Sequence, residues 1–194
     1  TETDLTAVEA DRAAVEAAGG TSAHPGFVSG VYYKNLASFQ SSGVNMVADR
    51  FYAVPFYVPS TTTFDRICIN VTSAAAAGKL ALLGIYSVAN GIPDTLQVSS
   101  TAIAVDSTGA KEATISTALT PGWYFLTLLT NGTPSVSGTA ATMNTGLSGM
   151  PNITGVSGGI TKTYSYGALP STAPTVTSGD FADGFMPNIF LRKA

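Results

Sequence analysis

Asp180 and Asp183, in the run SGDFADGF, form the carboxylate pair with the most chemical promise in this 194-residue chain. Two carboxylates can flank a glycosidic bond as acid and base or nucleophile, or hold Ca²⁺ through hard oxygen ligands. Beside Gly179 and Gly184 they also suit turns, where Asp accepts from nearby backbone amides, and the flanking glycines favour that reading. Asp49, Asp65, Asp94 and Asp106 stand at strand or turn edges and read the same way. His24 is the single histidine, beside Pro25 in SAHPG, and a general base there lacks a partner and a pocket. No Gly-x-Ser-x-Gly elbow accompanies it. Cys68 is the single cysteine, so an intrachain disulfide or a cysteine metal cage is excluded, and a small buried hydrophobe within a strand is expected. The glycines of GVSGGI precede no helix-forming run and do not make a phosphate loop. The expectation is a protein with no catalytic residue, no metal and no cofactor.

What could position a surface without reactive groups? Only 11% of the residues are charged and 45% are hydrophobic, against about 25% charged in an ordinary soluble domain. Ser, Thr, Gly and Asn take the place of charge, and with short β-branched runs this composition predicts an all-β protein, part of it covered by copies of itself. Residues 1–16 carry a net charge of −4 and the rest a net of +1, which leaves no basic field for a nucleic acid. No run reaches the roughly 18 apolar residues of a membrane span. The chain opens on Thr1 rather than Met, which predicts processing or a cut from something longer.

The residues TDLTAVEADRAAVEAA, 3–18, predict a helix stopped by Gly19-Gly20, with Leu5, Val8, Arg12 and Val15 on one thin seam. It either docks on its own domain or makes a neck shared between subunits. A division follows: a helical neck over 1–20, a linker and first strand region over 21–49, and a β-sandwich over 50–194, with an elaborated polar segment at 131–188. Within the sandwich, RFYAVPFYV (50–58) reads as a strand whose Pro55 asks for an edge or a bulge. TFDRICINV (63–71) sets Ile67, Ile69 and Val71 opposite Arg66, Cys68 and Asn70. KLALLGIYS (79–87) is apolar on both faces. Asn90-Gly91 and Pro93 mark an elbow, with a second strand expected from Leu96. Further strands are expected at 101–106, 111–117 and 122–130, and a last one at Ile189-Phe190-Leu191. Of Trp123 and Tyr124, at least one is expected in the core. Tyr164 and Tyr166 are expected on one face of a short strand. Such rings stack on sugars and also make subunit contacts. With Asp180 and Asp183 they form the candidate ligand-binding set.

The run from Phe64 to Thr130 resembles a module of tailed-bacteriophage virion proteins, found in the distal parts of tail fibres. Its pattern is R-I-x-I-x-V-T, a strand ending L-G-I-Y, a loop G-x-P-x-x-L, then T-G, and L-x-P-G-x-Y-x-L. Arg66 and Ile67, Gly84 to Tyr86, Gly91, Pro93, Leu96, Gly109, Ile115, Leu119, Pro121, Gly122 and Tyr124 match it. The ending MPNIFLR is similar to how such chains finish. The resemblance implies a jelly-roll-like antiparallel β-sandwich in an external appendage of a phage particle. It implies attachment to a bacterial surface glycan or protein, beside other virion proteins. In that setting a neck before a sandwich implies a homotrimer, with the strands that are apolar on both faces buried between subunits. A head fibre, decoration or connector protein with a purely structural role is the alternative.

Overall fold

A computed structural model describes residues 25–34, 41–139, 158–181 and 186–194. The neck expected over 1–20, His24 and Asp183 lie outside the described residues. In chain order the strands are β1 (Tyr32–Lys34), β2 (Ser41–Asn45), β3 (Arg50–Val58), β4 (Thr62–Ser73), β5 (Leu80–Ala89), β6 (Ile92–Ser99) and β7 (Ile103–Ala104). There follow β8 (Gly109–Leu119), β9 (Gly122–Thr130), β10 (Ser135–Thr139), β11 (Ile160–Thr163), β12 (Met186–Pro187) and β13 (Phe190–Lys193), with one 3₁₀ turn at Ser178–Asp180.

The strands make two antiparallel sheets that face each other, as the all-β sandwich reading requires. In sheet I, β4 has β8 along one edge, while β13 and β10 share the other; β1 lies outside β13, and β2 and β12 flank β10. Sheet II runs β11-β3-β9-β5, and β6 and β7 share the far edge of β5. The last strand returns as expected, and the third residue of that expectation, Leu191, enters the core.

The inner faces follow the period of two. Ile67, Ile69 and Val71 from β4 meet Leu83 and Ile85 from β5 and Leu126 and Leu128 from β9 in one core. Each such side chain contributes about 1.5–3 kcal/mol through burial. Against β13, two steps of β4 from Phe64 to Arg66 face one of the partner, a bulge in β4, and Phe64 and Ile67, three apart, both enter the core. Phe27 closes one end, 4.6 Å from the Tyr33 ring and 5.5 Å from that of Phe64.

The local signals act where they stand. Asn90 (φ 52°) and Gly91 (φ 78°) form a two-residue loop between Ala89 and Ile92, the left-handed pair that a tight hairpin needs. The second strand starts at Ile92 rather than Leu96, because Pro93 is tolerated at the edge of the sheet. Pro55 pairs with Phe125 on one side, and on its other side β11 has ended its pairing at Ala53. The edge that its missing N–H requires is therefore present.

β5 is covered on both faces, as its composition predicts, but the cover of its outer face comes from the same chain. Tyr86 and Leu82 pack in a second cluster with Phe51, Phe125 and Leu129 of the neighbouring strands and with Leu169, Ala173, Val176 and Phe181. Burial between subunits is not needed to explain the apolar outer face of this strand.

Candidate functional site

The outer face of sheet II presents Phe51, Ala53, Pro55 and Tyr57 from β3 opposite Leu129, Thr127, Phe125 and Trp123 from β9, with Tyr86 of β5 beside Phe125. A face this apolar must be covered. Residues 164–181 run across it as a strap. Its root is Asp49, a residue at φ 58°, which accepts from Tyr164 N on its carbonyl (2.8 Å) and from Tyr166 N on Oδ1 (2.7 Å). Midway, the Tyr86 hydroxyl donates to the Pro170 carbonyl at 2.7 Å. The strap then lies along the edge of β6: Leu96 N donates to Ser171 O (2.9 Å) and Ala173 N to Asp94 O (2.7 Å).

Gly84 explains how the strap can lie so close. A Cβ at this position would fall 2.5 Å from Leu169 Cδ1 and 3.0 Å from Thr127 Oγ1. The missing side chain makes the hole that Leu169 fills, a use of strand glycine for close approach. The L-G-I-Y run thus provides the seat and, in Tyr86, the hydrogen bond that hold the strap.

The predicted ligand set is placed as follows. Tyr164 and Tyr166 follow β11, which ends at Thr163, so they do not share a strand face; both are half-buried against the second cluster. The strand expectation fails because the pairing with β3 ends at Thr163 and the chain bends over 166–168. Burial raises the pKa of Tyr166, and burial, helped by Tyr164, raises that of Tyr86. Asp180 closes the 3₁₀ turn, accepting on Oδ2 from Thr177 N and Oγ1 (2.7 Å each) and from Lys162 Nζ (2.8 Å). Burial opposes its ionisation, yet the bonds from Lys162 and Thr177 hold its carboxyl below the usual range. Tyr164, Tyr166 and Asp180 thus belong to one strap.

Among the described residues, the strap does not extend over the far end of the face. There Tyr57 and Trp123 stand opposite each other in the β3–β9 register, ring centroids 5.0 Å apart and tilted by 46°. Trp123 is 38% exposed, whereas Tyr124 is buried in the core, as expected of one of the two. The aromatic shelf borders a pocket of about 170 Å³ lined by Pro55, Val88, Gly91, Trp123, Tyr124 and Phe125. Val88 and Phe125 also belong to the covered cluster, so shelf and strap are parts of one surface. The elbow at Asn90-Gly91 contributes its glycine to the rim. Sequence reading missed the shelf: Tyr57 and Trp123 alternate with core residues and lie next to turns, but neither run says where the cover of the face stops.

No protein-family model and no curated protein matches this chain. The site must be read from its own geometry.

The outer face of sheet I is different in kind. Arg192 donates to Asp65 through Nε (2.9 Å) and a terminal nitrogen (2.6 Å), and the hydrogen bond holds the Asp65 carboxyl low. The guanidinium lies 5.8 Å from the Tyr32 ring centre, and the Tyr32 hydroxyl donates to Glu112 Oε1 at 2.7 Å. Cys68 lies among these groups, 5% exposed, its thiol pKa pushed up to about 12 by burial and by the Glu112 charge. A thiol so held is a packing group rather than a nucleophile. Among the described residues, no group of three or more His, Cys, Asp or Glu could hold a metal ion.

Proposed function

We propose that this chain is an attachment module of a phage virion, a distal tail-fibre domain of jelly-roll kind that binds a bacterial surface glycan and performs no catalysis. The observation that carries the reading is the uncharged aromatic surface, with Trp123 38% exposed, beyond the end of the strap among the described residues. Rings on paired strands are held before any ligand arrives, so little ordering is lost on contact. The pattern residues of the resemblance support the same reading. Gly84, Tyr86 and Gly91 build the scaffold and its strap, and none of them brings reactive chemistry. A neck over residues 1–20 that joins three copies would turn weak single contacts into firm adhesion.

The test is binding of labelled protein to a panel of bacteria, compared with the double variant Tyr164→Ala/Tyr166→Ala. Selective binding that extracted surface polysaccharide competes away is expected, with loss in the variant; both tyrosines pack on the second cluster, so its melting temperature is expected to fall and binding is compared well below it. Absence of binding to any strain removes the attachment reading; unchanged binding by the variant removes Tyr164 and Tyr166 from the contact surface.

One observation favours the structural alternative of a head fibre, decoration or connector protein. Strand β8 is eleven residues long, and β4 is its single strand partner among the described residues. Residues 113–119 carry no charge and no proline to guard the free edge. Such an edge accepts a strand from another virion protein. Mass in solution separates the readings: a trimer that loosens without residues 1–18 favours the fibre, and a monomer with or without them favours the connector.

A further inference from the structure

Trp123 is the single tryptophan of the chain, and it stands where the apolar cover of sheet II stops. We propose that the Tyr57–Trp123 shelf is a saccharide subsite for one neutral pyranose ring, its C–H face laid on the indole and its hydroxyl edge turned toward the hairpin at Gly91. The inference rests on the attachment reading and names the ligand class and the residues that meet it.

Three observations narrow the occupant. The lining consists of Pro55, Val88, Gly91, Trp123, Tyr124 and Phe125, none of which carries charge. The Tyr124 side chain lies in the core between the sheets, so the floor offers the rings of Trp123 and Phe125 and backbone rather than an ion partner. A uronic or sialic acid, or an amine, would be desolvated there without compensation. The volume, about 170 Å³, is below the range of roughly 300–1,000 Å³ that drug-sized ligands need. It suits one ring. Finally, the two aromatic groups are tilted rather than parallel, 46° apart, which makes an angled seat instead of a flat wall. An apolar face bounded by polar edges is the shape of a pyranose with equatorial hydroxyls, and a wet rim accepts those edges.

Because no second tryptophan contributes, fluorescence of the full chain excited at the red edge of the indole band, beyond the absorption of its eight tyrosines, reports on this seat alone. Titration with the methyl glycosides of glucose, galactose and N-acetylglucosamine is expected to give a saturable shift of emission for at least one, and glucuronate is expected to give none. Tyr57→Ala is expected to weaken the responding sugar about tenfold or more. Trp123→Phe, followed by calorimetry, is expected to keep weakened binding, since a smaller ring remains. Trp123→Ala is expected to abolish it with the melting temperature retained. Unaltered emission with every neutral sugar, while the protein still adheres to bacteria, overturns the subsite and leaves the attachment reading standing. Unaltered emission without adhesion overturns both. An emission shift that follows protein concentration and not sugar also overturns the subsite, and assigns the shelf to contact between copies.

Discussion

The two outer faces of the sandwich solve the same problem in opposite ways. Sheet I meets water directly, and its outer side chains are joined in half-exposed pairs, Asp65 with Arg192 and Tyr32 with Glu112. Sheet II places Phe51, Tyr86, Phe125 and Leu129 outward and must use a strap of its own chain to cover them. The first face is held by contacts that solvent weakens, the second by apolar burial that solvent drives. A substitution should therefore matter far more beneath the strap than on sheet I.

The largest effect is expected for Leu169→Ala, which empties the seat above Gly84. A cost of about 2–4 kcal/mol follows from removing a buried leucine where the site collapses only in part. Denaturant unfolding measures the total. Amide exchange at Leu96 and Ala173, both bonded to the strap or part of it, should accelerate ahead of the core. Unchanged protection at both amides would show that the strap does not depend on this knob.

A middle effect is expected at the Lys162–Asp180 pair, whose side chains are 31% and 15% exposed. Its contribution is about 1 kcal/mol after solvent screening. The folded carboxyl titrates below the unfolded value of about 3.9. The stability gap between the native chain and Asp180→Asn is therefore complete above that value. It declines as pH falls through the depressed folded pKa and vanishes below it. Melting curves from neutral to strongly acid pH show this; a gap that persists in acid would assign the loss to packing instead.

The smallest effect is expected on sheet I. Arg192→Ala should shift thermal unfolding least of the three, because both partners of the Asp65 pair are more than a quarter exposed and solvent screens them. If thermal unfolding showed a loss as large as that of Leu169→Ala, the contrast between the faces would collapse.

That contrast also explains what could be read from sequence. The alternation in 63–71 shows directly which side of β4 meets the core, and Asn90-Gly91 names its turn by backbone preference. Pro55 signals an edge because it lacks an N–H. The strap is different. Leu169, Ala173, Val176 and Phe181 follow no period, and the bonds that dock them are mostly backbone bonds to residues such as Asp49 and Asp94, distant in the chain. Their partners are set by tertiary contact and leave no local trace. The shelf suffers from the same gap: GWYFLTLLT is apolar on both faces, and how far a cover reaches along it is not written in that run. Of the candidate ligand residues, Asp180 was legible as a turn residue, while Tyr164 and Tyr166 lie beyond the strand expected for them, packed in the strap.

β1 and β13 lie side by side and antiparallel, with Tyr32 opposite Arg192, and Gly30 N donates to Lys193 O at 2.9 Å. The chain therefore enters and leaves the sandwich at one corner. A load drawn between those two points would not shear the sheets. It would first draw Phe27 from the end of the core and then peel β1 from β13 pair by pair, as a zip opens.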